Sequence, residues 1–380
     1  MNKALIIVTV ILLVVCGGIY AAWKHVTKLD TSVTIEVAWP PGAEGDWEAL
    51  EGRVLAFSSN ANVPKTIGKS TGNRLTLIFG LPEYIKTHNK YSIGIKPSRE
   101  GVNLASIKLT REHIYNVEFH TLDNGSFQNL KISPDGRTIA ATNFFANNDQ
   151  QIVLLDRLSG TIQTEFPPTR IYRWPSLTSD GNKILFHTFL GNNTYGDLFL
   201  GTRDGKEAEW KLLRLTDEPN TIYNWPQISG GGNYLVSNVI YQDKEETGVG
   251  LFKLNDVNIE LVKWFPANWG YFPAITEDGS SISWMDVVDD DSVVKLAELK
   301  DDEWVVSEIS ASNFDLPDGT GINFAALSHD GRFITFIIIN AYTIGNTTIG
   351  IYDLEEEIMY TVIGCDGVFT FPVLSNQTNE

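Results

Sequence analysis

With 380 residues, 43% of them apolar and 20% charged, the chain holds enough material for one large folded domain or two ordinary ones. Its net charge of −18 and the lack of any basic run argue against a nucleic-acid partner, because phosphate backbones are held mainly through Lys and Arg. Only two cysteines are present, Cys16 and Cys365, so no disulfide framework supports the fold.

The chain begins with "MNKALIIVTVILLVVCGGIYAAWK", uncharged from Ala4 to Trp23 and about twenty residues long, which matches the ~30 Å hydrocarbon thickness of a bilayer. Residues 1–28 are expected as a retained membrane anchor, with Tyr20 and Trp23 at the interface, or as a signal segment. A lipoprotein reading would use Cys16, although Val15 is a poor residue before a lipidated cysteine. All three readings place the rest of the chain outside the cytoplasm, with the membrane as one partner.

Residues 31–111 alternate apolar and polar side chains over strand lengths, as in "SVTIEVAWP", "GRVLAFSS", "KYSIGIKPS" and "VNLASIKLT", and are expected to form a small β-sandwich-like domain. The last two of these strands also suit the middle of a closing propeller blade, for which "HIYNVEFHT" at 113–121 has the spacing of an outermost strand.

From residue 112 onward one motif recurs: "QNLKISPDG" at 128–136, "RWPSLTSDG" at 173–181, "NWPQISGGG" at 224–232, "YFPAITEDG" at 271–279, "NFAALSHDG" at 323–331 and "TFPVLSNQT" at 370–378. The terminal glycines are 45, 51, 47 and 52 residues apart, a period that with about four short strands per unit signals a β-propeller. The repeated step ends in a tight turn, where Gly accepts φ > 0 and Asp bonds neighbouring backbone. Pro175, Pro226, Pro273 and Pro372 are expected on an edge lining the central channel, where an N–H would find no partner, and Leu177, Ile228, Ile275, Leu327 and Leu374 between blades. The pattern Pro-x-apolar-Ser/Thr-x-Asp-Gly followed by an apolar strand resembles the repeat of TolB-type propellers over roughly residues 112–380. The expected fold is therefore all-β: a six-bladed TolB-like β-propeller preceded by the anchor and the sandwich-like domain.

No Gly-x-Ser-x-Gly elbow, His-Glu-x-x-His or P-loop is present, and the six histidines never pair at metal-ligand spacing. No motif calls for a cofactor. The cluster Asp286, Asp289, Asp290 and Asp291 is read as a solvated turn, with Ca²⁺ as the alternative. The binding signal comes from aligning the repeats. The residue that opens each motif is Gln128, Arg173, Asn224, Tyr271, Asn323 or Thr370, with Tyr172, Tyr223 and Trp269 beside it. Aromatic, Arg and amide side chains around a concave mouth are the composition of a recognition surface. The expected function is a membrane-tethered, extracytoplasmic, non-catalytic module that binds a protein or peptide at this mouth. The alternatives are a metal-dependent propeller enzyme of the lactonase or lyase type and a structural subunit of a surface assembly.

Overall fold

The computed structural model describes residues 32–38, 47–60, 102–109, 114–120, 125–145, 150–166, 171–189, 196–205, 208–255, 258–289, 291–314, 316, 320–340, 347–363 and 369–377. The N-terminal apolar run, the "KYSIGIKPS" segment and Asp290 lie outside them. Among the described residues no helix is long and apolar enough to cross a membrane.

Strands β1 (Ser32–Ala38), β2 (Val54–Asn60), β3 (Val102–Lys108) and β4 (Ile114–His120) come first. The first repeat forms β5 (Gly125–Ile132), β6 (Thr138–Phe145), β7 (Gln150–Asp156) and β8 (Thr161–Glu165). The second forms β9 (Ile171–Leu177), β10 (Lys183–Phe189), β11 (Gly196–Thr202) and β12 (Lys211–Arg214). The third forms β13 (Thr221–Ile228), β14 (Tyr234–Tyr241), β15 (Glu246–Leu254) and β16 (Ile259–Pro266). The fourth forms β17 (Tyr271–Ile275), β18 (Ser281–Val288), β19 (Asp291–Lys300) and β20 (Glu303–Ser310). The fifth forms β21 (Thr320–Leu327), β22 (Phe333–Asn340), β23 (Thr347–Asp353) and β24 (Ile358–Ile363), and β25 (Phe369–Leu374) opens the sixth.

Each of the first four repeats closes into its own four-stranded antiparallel meander, as short runs of β-branched and aromatic residues between Gly and Asp turns require. The fifth and sixth do not separate. Their strands make one nine-stranded sheet in the order β21-β22-β23-β24-β1-β4-β3-β2-β25, so among the described residues five hydrogen-bonded sheets stand where six separate blades were expected. The cause is β1, which pairs with β24 on one side and follows β4 on the other, bridging two four-strand runs.

Of the sandwich expected over residues 31–111, residues 39–46 and 61–101 lie outside the described residues. Its strands β1, β2 and β3 are members of this sheet, with β2 paired to β25 on one edge and β3 on the other. An unpaired edge of β25 would be left open to other strands, and β2 covers it. The outermost position of 113–121 is as expected, because β4 pairs with β3 on the side away from β25.

The core is a ring of apolar clusters, each filled from two neighbouring sheets. Leu177 packs with Ala140, Ile152 and Ile184; Ile228 packs with Leu185 and Leu235; Ile275 packs with Val236, Val249 and Ile282. Leu327 packs with Met285, Val294 and Ile334, and Val54, Ala56 and Val373 join Phe127 and Ile139 across the closure. The inter-blade role expected for Leu177, Ile228, Ile275 and Leu327 is what the structure has; in the sixth repeat Val373 joins the cluster and Leu374 is buried.

The turns act as expected and add one element. Ser133, Thr178, Thr276 and Ser328 each donate a side-chain hydrogen bond to the Asp two residues on, at 2.5–2.8 Å. Each also accepts the backbone N–H five residues on. In the sixth turn Ser375 accepts the N–H of Val54 at 2.8 Å, 321 residues away in sequence. Backbone bonds also run from turn to turn: Ser179 N–H to Gly230 O, Gly231 N–H to Glu277 O, Glu277 N–H to His329 O and Asn376 N–H to Pro134 O. These bonds tie the inner ends of the sheets into a belt around the axis.

Candidate functional site

Every repeat strand carries the same irregularity. Between Gln128 and Lys131, Arg173 and Ser176, Asn224 and Gln227, Tyr271 and Ala274, Asn323 and Ala326, and Thr370 and Val373, two residues oppose one on the neighbouring strand. That count defines a β-bulge, which breaks the ladder locally and re-aims side chains. Its first residue has positive φ in five repeats: Asn129 (55°), Trp174 (52°), Trp225 (47°), Phe272 (51°) and Phe324 (52°). A left-handed conformation costs a residue with a Cβ about 1–2 kcal/mol, and it persists where the surroundings over-determine it.

The prolines lie on edge strands as expected, and the bulge gives them a second reason. Pro175, Pro226, Pro273 and Pro372 are buried as the second bulge residue, where the ladder has already lost a bond, and Pro226, Pro273 and Pro372 line the axis. Leu130 and Ala325 occupy the same place, so the bulge does not depend on proline.

The bulges turn their first residues to the axis. Asn129, Trp174, Trp225, Phe272 and Phe324 line a small axial cavity together with Lys131, Pro226, Ala326 and Val373. Ring contacts run continuously through it: His187 to Trp174 at 5.1 Å, Trp174 to Trp225 at 5.4 Å, Trp225 to Phe272 at 5.3 Å and Phe272 to Phe324 at 5.0 Å. The volume available is about 30 Å³, so the axis is a filled aromatic arc and not an open tunnel.

A branch of this arc leads to the surface. Tyr271 lies 4.5 Å from Trp225 and 5.1 Å from Trp269, and Trp269 is 48% exposed. The backbone presenting Trp269 is pinned on both sides. Its N–H donates to Asp286 Oδ1 at 2.9 Å, and its carbonyl accepts from Asn238 Nδ2 at 2.9 Å. Gly270 follows at φ 64°, where an added Cβ would meet Asn238 Nδ2 at 3.0 Å. A large aromatic side chain is thus offered to solvent from a fixed backbone.

The expected mouth residues divide accordingly. Tyr271 and Trp269 come together in this branch. Asn224, partly buried, donates to Asn238 Oδ1 at 3.4 Å and so adjoins it. Arg173 donates from Nε to Gln150 Oε1 at 2.7 Å, and its guanidinium lies 5.7 Å from the rings of both Phe144 and Trp174. Burial lowers its pKa. Gln128 and Asn323 are partly buried at the same position in their own repeats, and Asn323 Oδ1 accepts the N–H of Phe324. The Thr370 backbone pairs with Ser58.

Tyr172 and Tyr223 are corrections. They are 6% and 3% exposed and belong to the inter-sheet clusters, Tyr172 against Phe166 and Phe186 and Tyr223 against Phe252. The Tyr223 hydroxyl donates to Glu218, and burial first, then this bond, raises its pKa above the ordinary tyrosine value. Successive strand residues face opposite ways, so the turn that aims Arg173 and Asn224 buries the residue before each. Trp174, Trp225, Phe272, Phe324 and Lys131 were not among the expected site residues. The signal for the aromatics was the aromatic-Pro pair itself, read as a strand edge rather than as a bulge.

Of the acidic cluster, Asp290 lies outside the described residues. Asp286 is buried and accepts the N–H groups of Trp269 and Val287, whereas Asp289 and Asp291 belong to the hairpin between β18 and β19. Among the described residues no three His, Cys, Asp or Glu side chains are placed to hold a metal ion.

No family model matches the sequence. No curated protein matches it either. Solved structures do resemble the fold. TolB from Acinetobacter baumannii superimposes with a TM-score of 0.57 at 12% identity, over 86% of this chain and 67% of that one. A structure described as a nidogen/laminin complex gives 0.51 at 9% identity, over 86% of this chain and all of the other. A putative TolB from Agrobacterium tumefaciens gives 0.49 at 12% identity, over 68% and 93%. With the repeated meanders and bulged inner strands, the likeness to the Acinetobacter TolB structure identifies the fold as a TolB-like β-propeller.

Proposed function

We propose that this protein is a recognition module that binds a protein or peptide partner at the axial mouth, with Trp269 and Tyr271 as its anchor. The observation that carries this reading is the exposed Trp269 on a backbone fixed by Asp286 and Asn238. Binding hot spots are enriched in Trp and Tyr, and an anchor already held in place loses little entropy when a partner docks. Asn224 and Arg173 supply amide and guanidinium groups at the rim. A structure similar to this chain is described as a complex between two proteins, the mode of action inferred here.

The finer architecture belongs to the same proposal. The nine-stranded sheet is read as two blades sharing β1, which gives six units around the axis, and the N-terminal apolar segment as the tether that holds the propeller outside the cytoplasm. The test is photo-crosslinking from position 269 in intact cells, followed by mass spectrometry. One dominant heterologous adduct, lost on Tyr271→Ala, supports the module. Adducts only to the same chain favour an assembly subunit, and no protein adduct at all overturns the reading.

A further inference from the structure

One charged side chain at the axis has no opposite charge. Lys131 occupies the position two residues after the left-handed one in the first repeat, where the other repeats place Ser176, Gln227, Ala274, Ala326 and Val373. It lines the axial cavity, and its ammonium reaches across to Gln227 Oε1 of the third repeat at 3.0 Å. An ammonium has three donors, and this neutral acceptor takes one. No carboxylate among the described residues forms an ion pair with it. His329 is its titratable neighbour; burial lowers the pKa of that ring, which bonds the Ile132 carbonyl, so it brings no negative charge. Burial lowers the Lys131 amine itself to about 8, so the charged form persists at neutral pH.

An ammonium out of bulk water is costly without a counter-ion, and Lys131 lines the cavity alongside Trp174, Trp225, Phe272 and Phe324. The cavity beside it measures about 30 Å³. By this measure a water needs about 10–15 Å³, so the space exceeds one water and admits a carboxylate group. We propose that the axial cavity is a carboxylate-binding site in which Lys131 is the counter-ion and the aromatic arc excludes water. A carboxylate completes the ammonium's hydrogen bonding with charge-assisted bonds, which are shorter and stronger than the neutral one it already makes. The carboxylate is that of a small acid or the terminus of a peptide.

Two tryptophans line the cavity, so intrinsic fluorescence reports its occupation. The probe is sodium acetate at neutral pH, with sodium chloride at equal ionic strength as the reference. The wild-type chain is expected to give a saturable change in the millimolar range, roughly 1–30 mM, beyond that of chloride. Lys131→Met is expected to abolish it. Gln227→Glu supplies a carboxylate from the protein itself and is expected to abolish it too, which keeps the test valid if Lys131→Met fails to fold. A tripeptide acid competing at least about tenfold better than acetate, with its amide inactive, assigns the site to a chain terminus; equal competition assigns it to small acids. No saturable acetate response in the wild type, or one unchanged in both variants, overturns the proposal. The site shares its axis with the recognition mouth, yet acetate reads it without a partner, so either reading fails independently of the other.

Discussion

Replacing Arg53 by Met tests how the ring is closed. Arg53 is 4% exposed, and its guanidinium donates to Ala49 O at 2.8 Å, Ser375 O at 3.1 Å and Asp330 Oδ2 at 2.5 Å, while lying 4.5 Å over the Phe333 ring. Methionine keeps the apolar stem and removes all three bonds. Breaking a fully buried pair costs about 3–5 kcal/mol, because a charge is left behind. Asp330, however, is 32% exposed and keeps the Ser328 hydroxyl and the Arg332 N–H, so the expected loss is about 2–4 kcal/mol. In urea that lowers the unfolding midpoint by roughly 1 M with the slope unchanged.

The loss has a defined pH dependence. Burial tends to raise the pKa of the Asp330 carboxyl, but the hydrogen bond and charge of Arg53, with Ser328 and Arg332, outweigh burial and hold it below the ordinary value. A carboxylate lowered in the folded state stabilises fully above its unfolded pKa and loses that contribution as pH falls through the folded one. The difference between wild type and Arg53→Met is therefore large at pH 7 and shrinks at about pH 2. A midpoint shift under about 0.2 M at neutral pH, or a shift of the same size in acid, refutes the reasoning.

Two turn glycines separate strain from crowding. Gly181 has φ 67° with only Arg203 Nη2 near an added Cβ, at 4.0 Å, so Gly181→Ala should lose about 1–2 kcal/mol by denaturant unfolding. Gly279 has φ 83° and would place its Cβ 2.7 Å from Tyr234 Cδ2, so Gly279→Ala should lose more, about 2–5 kcal/mol. Equal losses would contradict the packing described. His187 is fully buried, stacks on Trp174, and is lowered to about 3 by burial and then by Arg173. The unfolded chain binds this proton more readily, so stability should fall as pH drops from about 6.5 toward 3, and His187→Phe should flatten that part of the profile. Trp269→Ala should leave the unfolding free energy within about 0.5 kcal/mol of wild type while weakening partner capture at least about tenfold. Tyr223→Ala should instead destabilise the fold by about 3–5 kcal/mol, because its ring is in the core.

The parts of this architecture that were legible are those written by local chemistry and repeated. Ser328, Asp330 and Gly331 state their turn outright, and Leu177 or Ile228 state the inter-sheet face through position alone. What escaped was non-local or conformational. "GRVLAFSS" reads as an ordinary strand, and nothing within it says that its partner is β25. Arg53 likewise gives no local sign of Asp330, 277 residues away. Trp225 before Pro226 reads as extended backbone, the default before proline, whereas the fold bulges that edge strand and holds Trp225 at φ 47°. Alternation then buried Tyr172 and Tyr223, a consequence of the bulge's register that composition cannot reveal. Lys131 was passed over because one lysine in an acidic chain looks like surface.

The pairing of β2 with β25 also sets an order of events during synthesis. The ribosome makes β2 hundreds of residues before β25, and until that strand appears β2 keeps a bare edge next to a complete β3. Bare edges recruit other strands, including the same strand from a second copy. Loop closure over such a separation is slow compared with the local meanders, which are assembled from neighbours in sequence. The middle four sheets can therefore mature while the chain grows, leaving the circle unlatched. In a nascent chain the latch is the vulnerable point, and whatever shields β2 during that wait decides whether one molecule closes on itself or two close on each other.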